Sequence, residues 1–289
     1  MSLRIGWFSS GRDEAARNLL KTVYTDLQES GAPAKIHWIF CHREPGDGPD
    51  NEEARQRRLF FDLADELGIP IIALSHLHFQ PEMRKKGLEE SPSASQASHT
   101  LETWRNRFGA EVIRTLGEDP ADIVVMAGYM LIMGDPELQM LDLVNIHPAL
   151  PWGPRGTWQE VIHELIREQE EEQGIMVHLV TKELDRGPVI SYCRFPIRGE
   201  GWDSLWEQWR KEIGPDATRE ERERHALFRK IREVGEVREL PLLSKAIREL
   251  ADGHITIEKK QIWMNGEVLE KGMDLTDSIE AIVGKLESR

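Results

Sequence analysis

Five short apolar runs in the first half of the chain, Leu3 to Phe8, Ile36 to Cys41, Ile69 to Leu74, Ile123 to Met126 and Leu143 to Ile146, alternate with longer stretches of different periodicity. In those longer stretches, near 13 to 30, 51 to 67 and 100 to 117, apolar residues return every three or four positions. A short continuous apolar run suits a strand buried on both faces, and the longer pattern suits the amphipathic helices that cover it. Strand and helix repeated in this order predict βαβ units, hence an α/β fold with a Rossmann-like, mainly parallel sheet flanked by helices. From Gly174 the character changes. Ile175 to Val180 and Val189 to Ile197 are β-prone runs joined by TKELDRG, which predicts a hairpin-like connection and an antiparallel edge to the sheet.

Residues 82 to 99 are Ser-rich and poor in apolar side chains, and are expected to form a mobile surface loop. The polar stretch 214 to 225 is expected to break a Trp-rich helical region. Within that region Trp202, Trp206 and Trp209 recur at helical spacing, as a packing stripe or as the interface of a homodimer. A helix near Pro241 to Leu250, then an alternating segment broken by Asn265-Gly266, predict a C-terminal helical and β-hairpin extension. A chain of 289 residues can form one large domain, and the division expected is a main domain over 1 to 200 with 201 to 289 packed on it.

The charge balance narrows the partners. With 51 Asp and Glu against 37 Lys and Arg, the formal charge is −14, and such a surface repels nucleic acid. The two cysteines, Cys41 and Cys193, lie inside apolar runs, as buried free thiols of a cytoplasmic protein do. The opening MSLRIGWFSS has no long apolar core, and no run approaches the roughly 18 apolar residues of a bilayer span, so no membrane partner is expected.

In open α/β sheets, ligands gather where loops leave the carboxyl ends of the strands. One apolar run ends there in VNIHPALPWGPRG, residues 144 to 156, where Asn145 and His147 share a face and Pro148 stops the ladder. Two such side chains, about 7 Å apart along a strand, can flank one reacting atom or merely cap loop backbone groups. Asp185, in ELDRGPV, follows a strand and either joins them or serves as an ordinary turn aspartate.

AGYMLIM at 127 to 133, NIHPALP at 145 to 151 and HLVTKELDRGPVI at 178 to 190, in this order, resemble the folate-dependent formyltransferase family. The resemblance covers roughly residues 3 to 200 and resumes over about 228 to 270. It implies a catalytic domain over 1 to 200, 10-formyltetrahydrofolate as donor with no metal, and formyl transfer to the primary amine of a small molecule. It places Asn145, His147 and Asp185 around the transferred carbon, and Met130, Leu131, Ile132 and Met133 along the pterin, with Asp185's loop closing the pocket. Glu236, five residues before Pro241, matches a glutamate that contacts the amine. The residue types suit the chemistry. An asparagine amide and an imidazole N–H can stabilise a developing oxyanion, and a histidine beside a carboxylate can move the two protons.

Elsewhere the chain departs from the family pattern. The family's first loop reads Ser-Gly-x-Gly-Ser-Asn-Leu, whereas SSGRDEAARNLL lacks the second glycine. Gly11 and Arg12 are expected to meet an anionic group of the substrate, although Asp13 and Glu14 would repel a phosphate and Asp13 also reads as a helix cap. The turn after His147 is one residue short, bringing Trp152, Arg155 and Trp158 to the acceptor side, and Met176 stands where Ser or Thr is usual. The acceptor is thus left open between a phosphorylated amine such as glycinamide ribonucleotide, of the purine pathway, and an amino sugar. A hydrolase of formyltetrahydrofolate and a non-catalytic folate-binding module are the alternatives, and methionyl-tRNA formylation is disfavoured by the acidic charge. His76 and His78 lack a third ligand and read as structural histidines rather than a metal site.

Overall fold

The computed structural model describes residues 2–93, 96–118 and 121–287. In chain order they form β1 (Leu3–Ser9), α1 (Glu14–Ser30), β2 (Ala34–Cys41), α2 (Glu52–Glu66), β3 (Ile71–Ala73), α3 (Pro81–Glu89), α4 (His99–Leu116), β4 (Ile123–Met126), α5 (Asp135–Met140) and β5 (Leu143–His147). There follow α6 (Trp158–Glu168), β6 (Glu172–Leu179), β7 (Val189–Pro196), α7 (Asp203–Glu212), α8 (Arg219–Arg224), α9 (Ala226–Ala251), β8 (Ile255–Glu258), β9 (Gln261–Met264), β10 (Glu267–Val268), β11 (Met273–Asp274) and α10 (Thr276–Glu287). No helix among the described residues is long and apolar enough to cross a membrane.

Eight strands make one sheet in the order β11-β7-β6-β5-β4-β1-β2-β3. From β3 to β5 every pair is parallel; β6 is antiparallel to both β5 and β7, and β11 adds beyond β7 as a short parallel edge. The chain winds outward from β1 to β3 and then returns to place β4 on the other side of β1. That reversal opens a crevice at the carboxyl ends of β1 and β4, with β5 beside it. The continuous apolar runs are explained by burial on both faces. Trp7, Val125 and Val144 face a layer that includes α1, α6 and α9, while their neighbours Phe8, Val124 and Leu143 face α4. Gly6 is required where β1 meets β2, because a Cβ there would enter the Trp38 indole.

Several expectations change. Residues 82 to 99 are not one loop: α3 occupies 81 to 89, and α4 begins at His99; Ala94 and Ser95 fall outside the described residues. The reason is tertiary. Gly87 lets α3 touch the start of α4, where a Cβ would sit 2.7 Å from the Leu101 backbone nitrogen. The serines that read as loop residues tie the crossing, with Ser91 and Ser98 hydroxyls donating to the Gly87 carbonyl at 2.6 and 2.9 Å. β3 is shorter than the run Ile69 to Leu74, and the hairpin strand β7 is covered by β11. The stretch 214 to 225 holds the short helix α8, capped by Thr218.

The helix expected near Pro241 begins fifteen residues earlier, at Ala226, and runs through the proline. The carbonyl that Pro241 leaves without an N–H belongs to Val237, whose side chain is exposed, so water can meet it. Trp202 and Trp206 are buried in the core, as a packing stripe. The C-terminal hairpin forms at Asn265-Gly266, and a second turn at Lys259-Lys260 joins β8 to make three antiparallel strands. Both turns hold positive φ at their two central residues, as tight hairpins require.

Candidate active site

β5 ends at the carboxyl side of the sheet, one strand from the reversal, and its alternation sends Asn145 and His147 to one face. Register sets their neighbours: Asn145 lies opposite Met126 of β4 and His178 of β6, and His147 opposite Met176. Asp185 reaches in from the β6–β7 loop. It is only 8% exposed and holds a left-handed φ of 51°, a conformation uncommon outside glycine that aspartate tolerates better than most. Next to it, Arg186 donates to the carbonyls of Pro151 and Gly153 at 3.3 and 2.8 Å and so ties this loop to the turn after β5.

The three side chains converge. Asp185 Oδ2 accepts the Gly156 N–H at 3.0 Å and lies 3.6 Å from His147 Nδ1, while Oδ1 lies 3.8 Å from His178 Nε2. Partner chemistry then places the protons. His178 Nδ1 sits 2.8 Å from the Leu179 carbonyl and donates to it, which leaves a lone pair on Nε2 for the Asn145 amide at 3.3 Å. Burial holds the His178 pKa down to about 4, against the pull of Asp185, so this ring is neutral. His147 Nε2 donates to the Pro154 carbonyl at 3.0 Å. Its Nδ1 therefore faces the carboxylate as the nitrogen free to take up a proton, with Asp185 as counter-ion. Sequence reasoning singles out Asn145, His147 and Asp185 but not His178. Only the register of β6 on β5, which sets His178 opposite Asn145, shows that ring standing between Asn145 and Asp185.

Met130 to Met133 follow β4 and precede α5, beside the end of β5. Met130 is 54% exposed, Leu131 and Ile132 are half-buried, and Met133 is buried, which makes an apolar strip with an open side. Lys182 lies 3.6 Å from Asp135, so the loop carrying Asp185 faces the end of this segment. A strip of this kind, with backbone polar groups at its edge, fits a flat heteroaromatic ring.

The residues expected to meet the acceptor lie on other elements. Gly11 follows β1 with φ 59°, packed on the Phe60 ring, and its N–H donates to Ser9 Oγ at 3.2 Å. Arg12 lies 3.7 Å from both Asp13 and Glu53, and Asp13 caps α1 by accepting the Ala16 N–H. Glu236, on α9, is held by Arg232 at 2.6 Å, and Arg232 also pairs with the buried Glu239 and covers the Trp158 ring at the start of α6. His76 and His78 separate: His76 is buried against His42, while His78 points outward to Asp47.

The fold is of the α/β class, and residues 65–206 of the chain match the formyl transferase family. Among its relatives, it is similar to phosphoribosylglycinamide formyltransferase of Escherichia coli, 28% identical over 190 residues that span 63% of this chain and 76% of that one. It is similar also to the Saccharomyces cerevisiae protein of the same name, 30% identical over 131 residues, 43% of this chain and 59% of the other. The fold is shared with glycinamide ribonucleotide transformylase 1 of Symbiobacterium toebii, with a TM-score of 0.56 at 18% identity over 91% of this chain and 94% of that one. The family uses 10-formyltetrahydrofolate.

Proposed function

We propose that the protein transfers the formyl group of 10-formyltetrahydrofolate to the primary amine of a small acceptor. The observation that carries this reading is the convergence of Asn145, His147 and Asp185, with a neutral His178 behind them, at the carboxyl end of β5. Met130, Leu131, Ile132 and Met133 would hold the pterin. When bound, the folate supplies an activated formyl carbon. Asn145 then offers a hydrogen bond where negative charge grows on the formyl oxygen, joined by His147 once its Nδ1 is protonated. His147 Nδ1 takes up the proton the attacking amine loses and returns one to the departing nitrogen, directly or through water, while Asp185 stabilises the charged ring.

Glu236 would meet the acceptor's amine, with Gly11 and Arg12 at the far end of the acceptor. The charges of that end favour an amino sugar or another acceptor without a phosphate there over glycinamide ribonucleotide. Arg12 is neutralised by Asp13 and Glu53, the Gly11 N–H is directed to Ser9, and Glu239 lies buried near Asp13 and Glu236. Residues 1 to 200 would form the catalytic domain, and 201 to 289 an extension supplying Glu236; two buried free cysteines support a cytoplasmic setting. The test is consumption of 10-formyltetrahydrofolate with glycinamide ribonucleotide, its dephosphorylated nucleoside and a panel of amino sugars. Turnover that needs an amine supports transfer, formate release without one replaces it with hydrolysis, and no turnover refutes an enzymatic role.

A further inference from the structure

Behind the proposed pterin strip lies a buried chain of polar groups that the chemistry above does not use. It starts at an orphan. The chain leaves β4 through Gly128 in a left-handed turn, with φ 69°, so the Met130 N–H has passed the end of the strand ladder. That N–H donates to Ser10 Oγ at 3.1 Å, and the Ser10 N–H donates to the Gly128 carbonyl at 3.1 Å. Ser10 Oγ is also 2.6 Å from His42 Nε2, and His42 Nδ1 is 2.8 Å from His76 Nδ1. Ser10, His42 and His76 are all buried.

The hydrogens of this chain have one consistent arrangement. His76 Nδ1 lies 2.9 Å from the His42 carbonyl, which only accepts, so His76 Nδ1 carries the hydrogen. His42 Nδ1, facing that N–H, must then be the acceptor. The remaining His42 nitrogen, Nε2, carries the ring's hydrogen and donates it to Ser10 Oγ. Ser10 thus receives two hydrogen bonds, from His42 and from Met130, and both its lone pairs are fixed. Tyr129 closes the arrangement edge-on against the His42 ring at 4.7 Å. Both rings are held neutral, chiefly by burial, His42 well below 6.5 and His76 at about 4, as this arrangement requires.

We infer that Ser10 and His42 are positioning residues for donor binding: with His76 as anchor, they pin the Met130 amide from beneath and hold the Met130 to Met133 backbone in its binding shape. The inference rests on the proposed function only in identifying that segment with the folate site. Main-chain pinning leaves the Met130 side chain half-exposed and available to a ligand, whereas an unpinned amide would let the strip sag toward the Gly128 turn.

The test compares Ser10→Ala and His42→Gln with the parent protein. Ser10→Ala removes the acceptor; His42→Gln keeps a side-chain N–H toward Ser10 but loses the acceptor for His76. Amide hydrogen exchange at Met130 is expected to speed up tenfold or more in Ser10→Ala, with Val124 and Val125 of β4 unchanged, and to change less in His42→Gln. Tetrahydrofolate binding, followed by quenching of tryptophan fluorescence, is expected to weaken about tenfold in Ser10→Ala and less in His42→Gln, with the KM for the amine unchanged. Unaltered Met130 exchange in Ser10→Ala overturns the pinning. Faster exchange with unaltered tetrahydrofolate affinity overturns the positioning role. Failure of the parent protein itself to bind tetrahydrofolate refutes the folate site, and the exchange data still decide the pinning.

Discussion

Glu137 offers a quantitative test of how the core beside the site is built. It lies in the first turn of α5, just past the Met130 to Met133 strip, and is 2% exposed. Its Oε2 accepts the Gly134 N–H at 2.9 Å, and its carboxyl fits against Gly109 of α4, where a Cβ would collide with it. Burial raises its pKa from 4.5 to about 7, against the opposing pull of that backbone hydrogen bond. Between those pH values the native state keeps a proton that the unfolded chain has lost. The associated stability is therefore complete below pH 4.5 and is lost as the pH rises through 7. At about 1.4 kcal/mol per pH unit, the loss comes to roughly 3 kcal/mol.

Glu137→Gln keeps the shape and the acceptor for Gly134 but cannot ionise. Urea unfolding of parent and variant across this range is expected to show nearly equal stability at the acid end and a variant advantage of about 3 kcal/mol above roughly pH 8. Taking the difference between the two proteins at each pH cancels every other titrating group. A gap that does not change with pH would refute the assignment of a buried, proton-holding carboxyl.

His178 should titrate in the opposite sense. Its native pKa is lowered to about 4, so stability is full above 6.5 and falls as the pH drops from 6.5 toward 4, where the unfolded chain takes up a proton that the native ring refuses. NMR should show this imidazole neutral down to about pH 4, and a midpoint near 6.5 would contradict its burial beside Asn145. Asp185→Asn is expected to lower kcat by about a hundredfold or more with tetrahydrofolate affinity changed only slightly, because the counter-ion for His147 is lost while the apolar strip remains. Gly87→Ala should cost about 1 to 3 kcal/mol in urea unfolding, since the new Cβ meets backbone rather than a movable side chain. Stability equal to the parent's would show that α3 and α4 can separate freely.

The parallel half of the fold is legible because its signals are local. A strand buried on both faces must be apolar throughout, and a helix laid on it must be amphipathic, so the runs that become β1, β2, β4 and β5 announce themselves. Asn265-Gly266 marks its turn because positive φ favours those residues, whereas the equivalent turn at Lys259-Lys260 carries no such mark. The passage through Pro241 and the helix α3 are illegible for different reasons. Proline argues locally against the first, whereas α3, PEMRKKGLE, is rich in helix formers and is masked by the Ser-rich stretch that follows it.

The candidate site divides along the same line. Its residue types and their order, Asn145 and His147 at the end of one apolar run and Asp185 after a later one, belong to the sequence. Three things belong to tertiary structure alone. One is the neutral His178, set between Asn145 and Asp185 by the register of β6. Another is the direction of His147, fixed by the Pro154 carbonyl so that the free nitrogen faces Asp185. The last is the Ser10, His42 and His76 relay under Met130, assembled from the ends of β1, β2 and β3. A sequence states which groups are present and how often apolar residues return. Protonation and orientation depend on which carbonyl or ring each group meets, and those neighbours are brought together only by the order and register of the strands.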